Sequence, residues 1–356
     1  MKKHFPASVA QIELNESIQN IKEIKKRTSI PKILAVVKCN AYSHGAIRLS
    51  KAVEEYVDWF AVANVDEAIQ LRLSGILKPV LVFGVPTYET AAAYQTHNLT
   101  ATISHQTHFS ILMDGTSYHL NFDTGMGRLG FYPEESGEVR DLAVANQRLI
   151  CSGIYSHYSS ADDPGSQKVM DQNRIFKKVL NEFQEIPLIH MSNTGAAVNY
   201  DHLDHFGMIR TGLGMLGYNS GSTVYDWLHP VLTWKTKIAQ IRLIRKGMSV
   251  SYSSTWTAPV DGYLATLPVG YGDGIPRSLS NRLMVSVEGT KVAQVGNITM
   301  DMCMLFLGDL KLPTGTDVTL MGGDAWTATD WARHGNTNTH EILTNLTDRI
   351  SREYID

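Results

Sequence analysis

The residue in this sequence best suited to covalent chemistry is a lysine at the end of an apolar run. Ile33-Leu34-Ala35-Val36-Val37 reads as a short strand buried on both faces. Lys38 comes directly after it, ahead of Cys39-Asn40-Ala41-Tyr42-Ser43-His44-Gly45, a small polar turn before the helical spacing of Ile47, Leu49, Ser50 and Val53. A lysine amine kept out of water can form a Schiff base with a carbonyl cofactor such as pyridoxal phosphate. Four other stretches carry groups of chemical capacity: Asp123-Thr124-Gly125-Met126-Gly127-Arg128-Leu129-Gly130-Phe131, Tyr155-Ser156-His157, His190-Met191-Ser192-Asn193-Thr194 and Met208-Ile209-Arg210-Thr211-Gly212-Leu213-Gly214. Each alone has an ordinary structural explanation as a rim histidine or a connector arginine. Tyr252 alone would be read as packing. The pairs His105/His108 and His202/His205 have i, i+3 spacing but no evident third ligand, so no metal site is expected.

These residues need a scaffold that gathers strand ends. Short apolar runs recur at Ile33–Val37, Trp59–Ala63, Pro79–Phe83, Leu99–Ile103, His119–Phe122, Ile150–Tyr155, Pro187–His190 and Met208–Arg210, with helical patterns such as Val65–Leu73 and Lys168–Phe183 between them. Eight β-then-α units predict a (β/α)8 barrel of the TIM type, in which chemistry sits at the carboxyl ends of the strands. Lys38, Asn64, Gly84, Asp123, His157, Ser192 with Asn193, and Arg210 all fall at such ends. A doubly wound sheet would alternate similarly, but no Gly-x-Gly-x-x-Gly comes after the first strand. Beyond Asn219-Ser220-Gly221-Ser222 the pattern changes to strand alternation, at Leu232–Ile238, Tyr263–Leu267, Leu283–Val287, Lys291–Val295, Met302–Phe306 and Val318–Leu320, with Glu288-Gly289-Thr290 as a hairpin turn. The expectation is α/β, with a barrel over residues 1–225 and an all-β domain over 226–356.

Composition narrows the function. The 356 residues carry a formal net charge of -3, with no basic run beyond Lys25-Lys26-Arg27, so nucleic acid and anionic membrane surfaces are not expected partners. Three widely spaced cysteines, Cys39, Cys151 and Cys303, argue against a disulfide framework and for a reducing compartment. Met1-Lys2-Lys3-His4-Phe5-Pro6 is not followed by an apolar signal core, and no run approaches a membrane span, so the expected location is the cytoplasm.

The run Ala35-Val36-Val37-Lys38-Cys39-Asn40-Ala41-Tyr42-Ser43-His44-Gly45 closely resembles the pyridoxal-phosphate lysine segment of the alanine racemase family, with Cys39 and Ser43 as small departures. Asp123–Phe131 resembles that family's glycine-arginine loop residue for residue, and Val250-Ser251-Tyr252 its tyrosine segment. Leu267–Arg277 and Val295–Met302 resemble two further signatures, so the likeness covers nearly the whole chain. It implies pyridoxal 5'-phosphate on Lys38, with Arg128 near the cofactor's phenolic oxygen and the substrate carboxylate. It implies His157 stacked on the pyridine ring and Arg210 facing the pyridine nitrogen. Tyr42, Asn193, Thr194 (where the family usually has serine), His340 and the amides of Gly212 and Leu213 would hold the phosphate. Lys38 and Tyr252 become the two bases, with His190 and Arg210 tuning Tyr252, and Tyr271 in support. The resemblance further implies a head-to-tail homodimer in which the tyrosine, Met300 and Asp301 enter the partner's barrel. The implied activity interconverts L- and D-alanine and supplies D-alanine for peptidoglycan. A pyridoxal-phosphate decarboxylase has the same plan but would not be expected to carry the Tyr252 segment, and a cofactor carrier would end without a β domain.

Two departures from the family carry expectations. Many members have a carbamylated lysine at the position of Asn121, so an anion, most plausibly chloride, is expected beside Asn121 and Arg128. A tyrosine normally stands at the position of His340, so a widened substrate range that includes serine is expected.

Overall fold

The computed structural model describes residues 7–28, 30–162, 164–200, 203–219, 221, 223 and 225–356. Met1 to Pro6, His202, and Ser220 and Ser222 of the connector lie outside the described residues. The chain forms two compact units, one of Ser17–Ala41 and Gly45–His229, the other of the N-terminal segment through Glu16, Tyr42–His44 and Pro230–Asp356.

The first strand, β1 (Ser8–Glu13), belongs to the second unit. The first unit holds β2 (Lys32–Val36), β3 (Trp59–Val62), β4 (Val80–Val82), β5 (Ala101–Ile103), β6 (Ser117–Asn121), β7 (Ile150–Tyr155), β8 (Ile189–Asn193) and β9 (Met208–Thr211). They form one parallel sheet in the order β4-β3-β2-β9-β8-β7-β6-β5. The parallel bridge between Leu81 and Thr100 brings the two ends of that order together, with the N–H groups of Val82 and Thr100 donating to Thr100 O and Val80 O at 2.9 Å each. Eight strands, all at the expected places, thus make a nearly closed barrel. The strands read as unbroken apolar runs because both faces are covered: β4, β5 and β9 are buried at every position. Barrel interiors are packed, and β6 and β7 show how closely. A Cβ at Gly153 would lie 2.6 Å from His119 Nε2, so the histidine occupies the space that a side chain there would need.

The second unit continues with β10 (Leu232–Lys237), β11 (Gln240–Ile244), β12 (Ser249–Val250), β13 (Trp256–Thr257), β14 (Gly262–Leu267), β15 (Met284–Val287), β16 (Thr290–Val295), β17 (Cys303–Gly308), β18 (Asp317–Met321) and β19 (Ser351–Ile355). Nine strands form one sheet in the order β11-β14-β17-β16-β15-β18-β10-β1-β19. Alternating burial along β1, β10 and β17 reflects one covered face. The expected hairpin turn lies between β15 and β16 but holds only Glu288 (φ 48°) and Gly289 (φ 78°), Thr290 already pairing with Val287, and positive φ at both central positions is the type I′ signature.

Two features depart from the sequence reading. β1 pairs antiparallel with β10 and parallel with β19, so the expected division into 1–225 and 226–356 needs amending at its start. The alternation of Ala10–Leu14 gives no hint of which sheet it joins, since register partners are non-local. The second unit also contains the helices Ala328–Gly335 and Thr339–Thr344, so it is mostly rather than purely strand. Trp331 on the first of them is fully buried, 5.8 Å between ring centroids from Trp234 of β10.

Candidate active site

Lys38 stands where β2 ends, at the start of an unusual turn. Cys39, Asn40, Ala41, Tyr42 and Ser43 have φ of 52°, 53°, 50°, 52° and 65°, one turn of left-handed helix built from L residues. That conformation costs about 1–2 kcal/mol per residue, so it persists only if its surroundings impose it. In the barrel unit, Ala41 N–H donates to Val37 O (2.8 Å), Gly45 N–H to Asn40 O (2.9 Å), Ala46 N–H to Asn40 Oδ1 (2.8 Å) and Cys39 N–H to Glu67 Oε1 (2.6 Å). Residues 42–44 group with the second unit, where Ser43 Oγ donates to Thr344 O (3.2 Å) and Arg352 Nε to Ser43 O (3.0 Å). Lys38 itself is half-buried. Burial lowers its amine from the ordinary lysine value, Cys39 and Glu67 oppose the shift, and the Arg128 charge adds to it.

Arg210, on β9, is 4% exposed, and both of its Nη atoms donate to buried acceptors. Nη1 donates to His190 Nδ1 (2.9 Å); Nη2 donates to Ser156 O (2.9 Å), His157 Nδ1 (2.8 Å) and Met191 O (3.0 Å). A guanidinium only donates, so both histidines must accept at Nδ1 and are therefore neutral. His190 Nε2 then carries its proton and donates to His119 Nδ1 at 2.9 Å. Tyr155 stacks on the His190 ring at 4.9 Å and 8°, its hydroxyl 3.0 Å from Thr102 Oγ1. The electrostatics agree: burial and then the Arg210 charge hold His157 and His190 well below the ordinary histidine value and His119 at about 3. Burial also pushes Arg210 down to about 10, which leaves it charged at neutral pH. The sequence reading did not single out His119, although its place beside Asn121 on β6 put it in the strand that carries the glycine-arginine loop.

That loop is held by one carboxylate. Asp123 Oδ1 accepts from the N–H groups of Gly125 (2.9 Å), Met126 (2.8 Å) and Gly127 (3.1 Å), and Oδ2 from Arg128 (2.9 Å). Burial alone would raise the Asp123 carboxyl, but the four donors together bring it below its usual value. Gly130 (φ 133°) is required where the loop rejoins β6, because a Cβ there would lie 2.5 Å from Asp123 N. Asn121 is buried and donates from Nδ2 to Leu129 O (3.0 Å). The Arg128 side chain is exposed and forms no ion pair among the described residues. Its charge is nonetheless felt at Lys38, His157 and Arg210.

At the ends of β8 and β9, Asn193 Oδ1 caps the Thr194–Asn199 helix by accepting from Ala196 N–H (2.9 Å). The hydroxyls of Thr194 and Thr211 are 3.0 Å apart, and Thr211 Oγ1 accepts from Met215 N–H (3.1 Å). Gly212 leads into the short 3-10 turn Leu213–Leu216, and such a start leaves N–H groups facing outward. A Cβ at Gly214 would lie 2.6 Å from Thr194 Cγ2, so the backbone and the threonine approach as closely as glycine permits.

The remaining candidates lie in the second unit. Tyr42 and His340 have ring centroids 5.8 Å apart. Tyr252 comes after Ser251 (φ 66°) in a tight turn and is 72% exposed, its carbonyl accepting from Asn297 Nδ2 (2.8 Å). Tyr271 and Met300 are also exposed, and the Gly272 N–H donates to Met300 O (2.9 Å). Asp301 pairs with Arg349 (2.9 Å), whose Nε is 3.2 Å from Asp273 Oδ1. The sequence reading did not single out Arg349. Of the histidines at i, i+3 spacing, His108 Nδ1 accepts from Ser104 N–H (3.3 Å), and His205 Nδ1 is 2.9 Å from Ser192 Oγ.

Known proteins can be set beside this geometry. The alanine racemase N-terminal domain model matches residues 12–220, and the alanine racemase C-terminal domain model residues 231–354. An alanine racemase from Streptococcus pneumoniae is 35% identical over 99% of this chain and 98% of its own length. The alanine racemase of a D-cycloserine-producing Streptomyces lavendulae superposes with a TM-score of 0.94 at 28% identity, covering 99% of this chain and 98% of that one. A Bartonella henselae alanine racemase, solved with covalently bound pyridoxal phosphate, superposes with a TM-score of 0.90 at 25% identity, covering 98% and 99%. With both domain models matched and a relative at this identity over nearly its full length, the chain belongs to the alanine racemase family of amino-acid isomerases.

Proposed function

We propose that this chain racemises alanine by a two-base mechanism with pyridoxal 5'-phosphate on Lys38. The observation that carries the reading is the cationic mouth of the barrel: Lys38 is half-buried just after β2, and Arg210, buried on β9, donates to the rings of His190 and His157 at 2.9 and 2.8 Å. Such a pattern suits an anionic, phosphate-bearing group. The barrel's own donors fit it, with a half-buried lysine, the amides of Gly212 and Leu213, Asn193 and the hydroxyl of Thr194, and the family resemblance assigns Tyr42 and His340 to the same group. The bound cofactor would hold the amino acid through its amine and accept the electron pair left when the α proton departs.

The protein's part is to move that proton. Racemisation removes it from one face of the α carbon and returns one to the other, so two groups must address opposite faces. In this reading the Lys38 amine handles the D enantiomer's proton and the Tyr252 phenol the L enantiomer's. A phenol titrates near 10 in water, so Tyr252 needs a setting that eases its deprotonation, and His190 and Arg210 are assigned that task with Tyr271 in support. Arg210 would face the ring nitrogen. Since the guanidinium keeps its proton, that nitrogen stays unprotonated and side reactions such as transamination are restrained. Arg128 would hold the substrate carboxylate through its planar fork, with Met300 and Asp301 shaping the entrance from a partner subunit.

The exposure of Tyr252, Tyr271, Met300 and Met302 supports a homodimer that covers them. Arg128, without an ion pair among the described residues, supports an anion such as chloride beside it and Asn121. No helix among the described residues is long and apolar enough to cross a membrane. A cytoplasmic supply of D-alanine for peptidoglycan completes the reading. Purified protein given L-alanine should bring the optical rotation to zero. Release of carbon dioxide and ethylamine instead would assign the decarboxylase alternative. Because enantiomers have equal free energies, kcat/KM for L- and D-alanine must coincide.

A further inference from the structure

Glu67 has no role in that mechanism, yet both of its carboxylate oxygens are committed. It stands in the first turn of the Val65–Leu73 helix, half-buried, its own N–H donating to the Asn64 cap (2.9 Å). Oε2 accepts from Ala63 N–H at 2.8 Å, just beyond β3. That contact is close to the capping-box bond of a glutamate at a helix start, shifted by one residue, since the donor is Ala63 rather than the cap Asn64. The other is different in kind: Oε1 accepts from Cys39 N–H at 2.6 Å, across 28 residues of sequence and onto the neighbouring strand's end.

Cys39 opens the left-handed turn, and the first N–H groups of any helical turn lack a partner within it. A carboxylate there both satisfies the donor and complements the positive end of the peptide dipoles. The consequence passes to Lys38 through covalent geometry. The Cys39 N–H lies in the same rigid plane as the Lys38 carbonyl, so gripping it fixes the ψ of Lys38 and the direction in which its side chain leaves the backbone.

We propose that Glu67 is a positioning residue for Lys38, which pins the Lys38–Cys39 peptide plane to the end of β3 and sets a negative charge against the lysine amine. The proposal rests on reading Lys38 as the cofactor-bearing lysine. The groups that face the amine are consistent with it. Cys39 and Glu67 favour its charged form, burial and Arg128 oppose it, and His157 feels its charge in turn.

The test uses the holoenzyme and three variants: Glu67→Gln, Glu67→Asp and, as a remote helix-cap control, Thr327→Ala. The visible absorption of the lysine-bound cofactor is titrated with pH in each, alongside alanine kinetics. Without the facing charge, Glu67→Gln should move the titration midpoint down by about half to one pH unit, a shift discounted for partial exposure. Its kcat should fall at least tenfold with KM little changed, since displacement of a reacting group by about 1 Å can cost about a hundredfold. Glu67→Asp keeps the charge but loses reach, so it should hold the parental midpoint and still lose kcat; this arm also stands if Glu67→Gln fails to fold. Thr327→Ala should lower thermal stability and change neither readout. A parental midpoint and kcat in both Glu67 variants, with only a lower melting temperature, would overturn the proposal and leave Glu67 a helix cap. Absence of a visible band and of a borohydride-stable label on Lys38 in the unmodified protein would instead overturn the cofactor reading on which the proposal rests.

Discussion

The residues proposed to act differ in exposure between the two units. In the barrel, Arg210 is 4% exposed with four hydrogen-bond acceptors around it, and the histidines it touches are held neutral by burial and by its charge. In the second unit, Tyr252 is 72% exposed and Met300 53%. A group that must hold a cofactor's electronics constant gains from being over-determined by its neighbours. A phenol that must act as a base cannot do so in open solvent at neutral pH, so in the proposed two-base reading Tyr252 would act only when a surface carrying positive charge encloses it.

The largest effect is expected at the two bases. Lys38→Ala and Tyr252→Phe should each abolish racemisation of both enantiomers. If the tyrosine acts in a partner's barrel, mixing the two inactive proteins under conditions of subunit exchange should restore about a quarter of the parental sites, since half of the dimers are hybrids with one complete site each. No recovery despite demonstrated exchange would place both bases in one chain and break the comparison.

Next in size is the buried web. Arg210→Lys keeps a charge but not the fork, so several acceptors lose their donor. It should cost about 2–4 kcal/mol in a urea melt together with most of the activity. The web also makes the barrel sensitive to acid. His119, His157 and His190 have folded-state pKa values below the ordinary 6.5, so the unfolded chain binds more protons than the folded one as pH falls. Stability should therefore be full above about pH 6.5 and decline from there towards pH 3, and thermal melts in that range would detect it. A flat profile would mean that these histidines are not held neutral.

The units also differ in how far their sequence discloses them. The barrel was legible because each strand is buried on both faces and each is followed by a helix, a local pattern repeated eight times. The second unit was only partly so, because the partners of β1 and β19 are fixed by pairing between distant segments. The site shows the same division. Lys38, His157 and Arg210 were singled out because a polar residue at a strand end stands out, and Arg128 because its glycine-rich loop resembles the family's. His119 looked like one more residue of β6, Arg349 like a surface charge, and Glu67 like a helix cap. Nothing in Cys39-Asn40-Ala41-Tyr42-Ser43 advertises a left-handed turn, since only its asparagine is suited to one.

A smaller effect concerns the edge of the barrel half. Asn121 donates to Leu129 O and cannot carry the charge that would offset Arg128. A crystal grown in bromide should show an anomalous peak beside the two side chains. Its absence would mean that the arginine stays unbalanced until substrate carboxylate arrives.

The smallest effect is on substrate choice, and it sharpens what the second unit contributes. The ring of His340 lies 5.8 Å from that of Tyr42, tilted by 49°, and the family resemblance implies a tyrosine in its place. If the histidine only takes over that residue's phosphate contact, specificity should be unaffected. In the proposed reading a shorter polar ring would also leave room beside the substrate side chain and offer a hydrogen-bond partner to a hydroxyl. Apolar pockets reject an added hydroxyl by roughly a hundredfold at best, so a polar wall should erode even that margin. Appreciable serine racemisation beside alanine is therefore expected. His340→Tyr should lower the serine-to-alanine ratio of kcat/KM several-fold while largely keeping alanine turnover. Equal ratios in the two proteins would remove His340 from specificity and leave Tyr252 and the residues around Met300 as the second unit's proposed contribution.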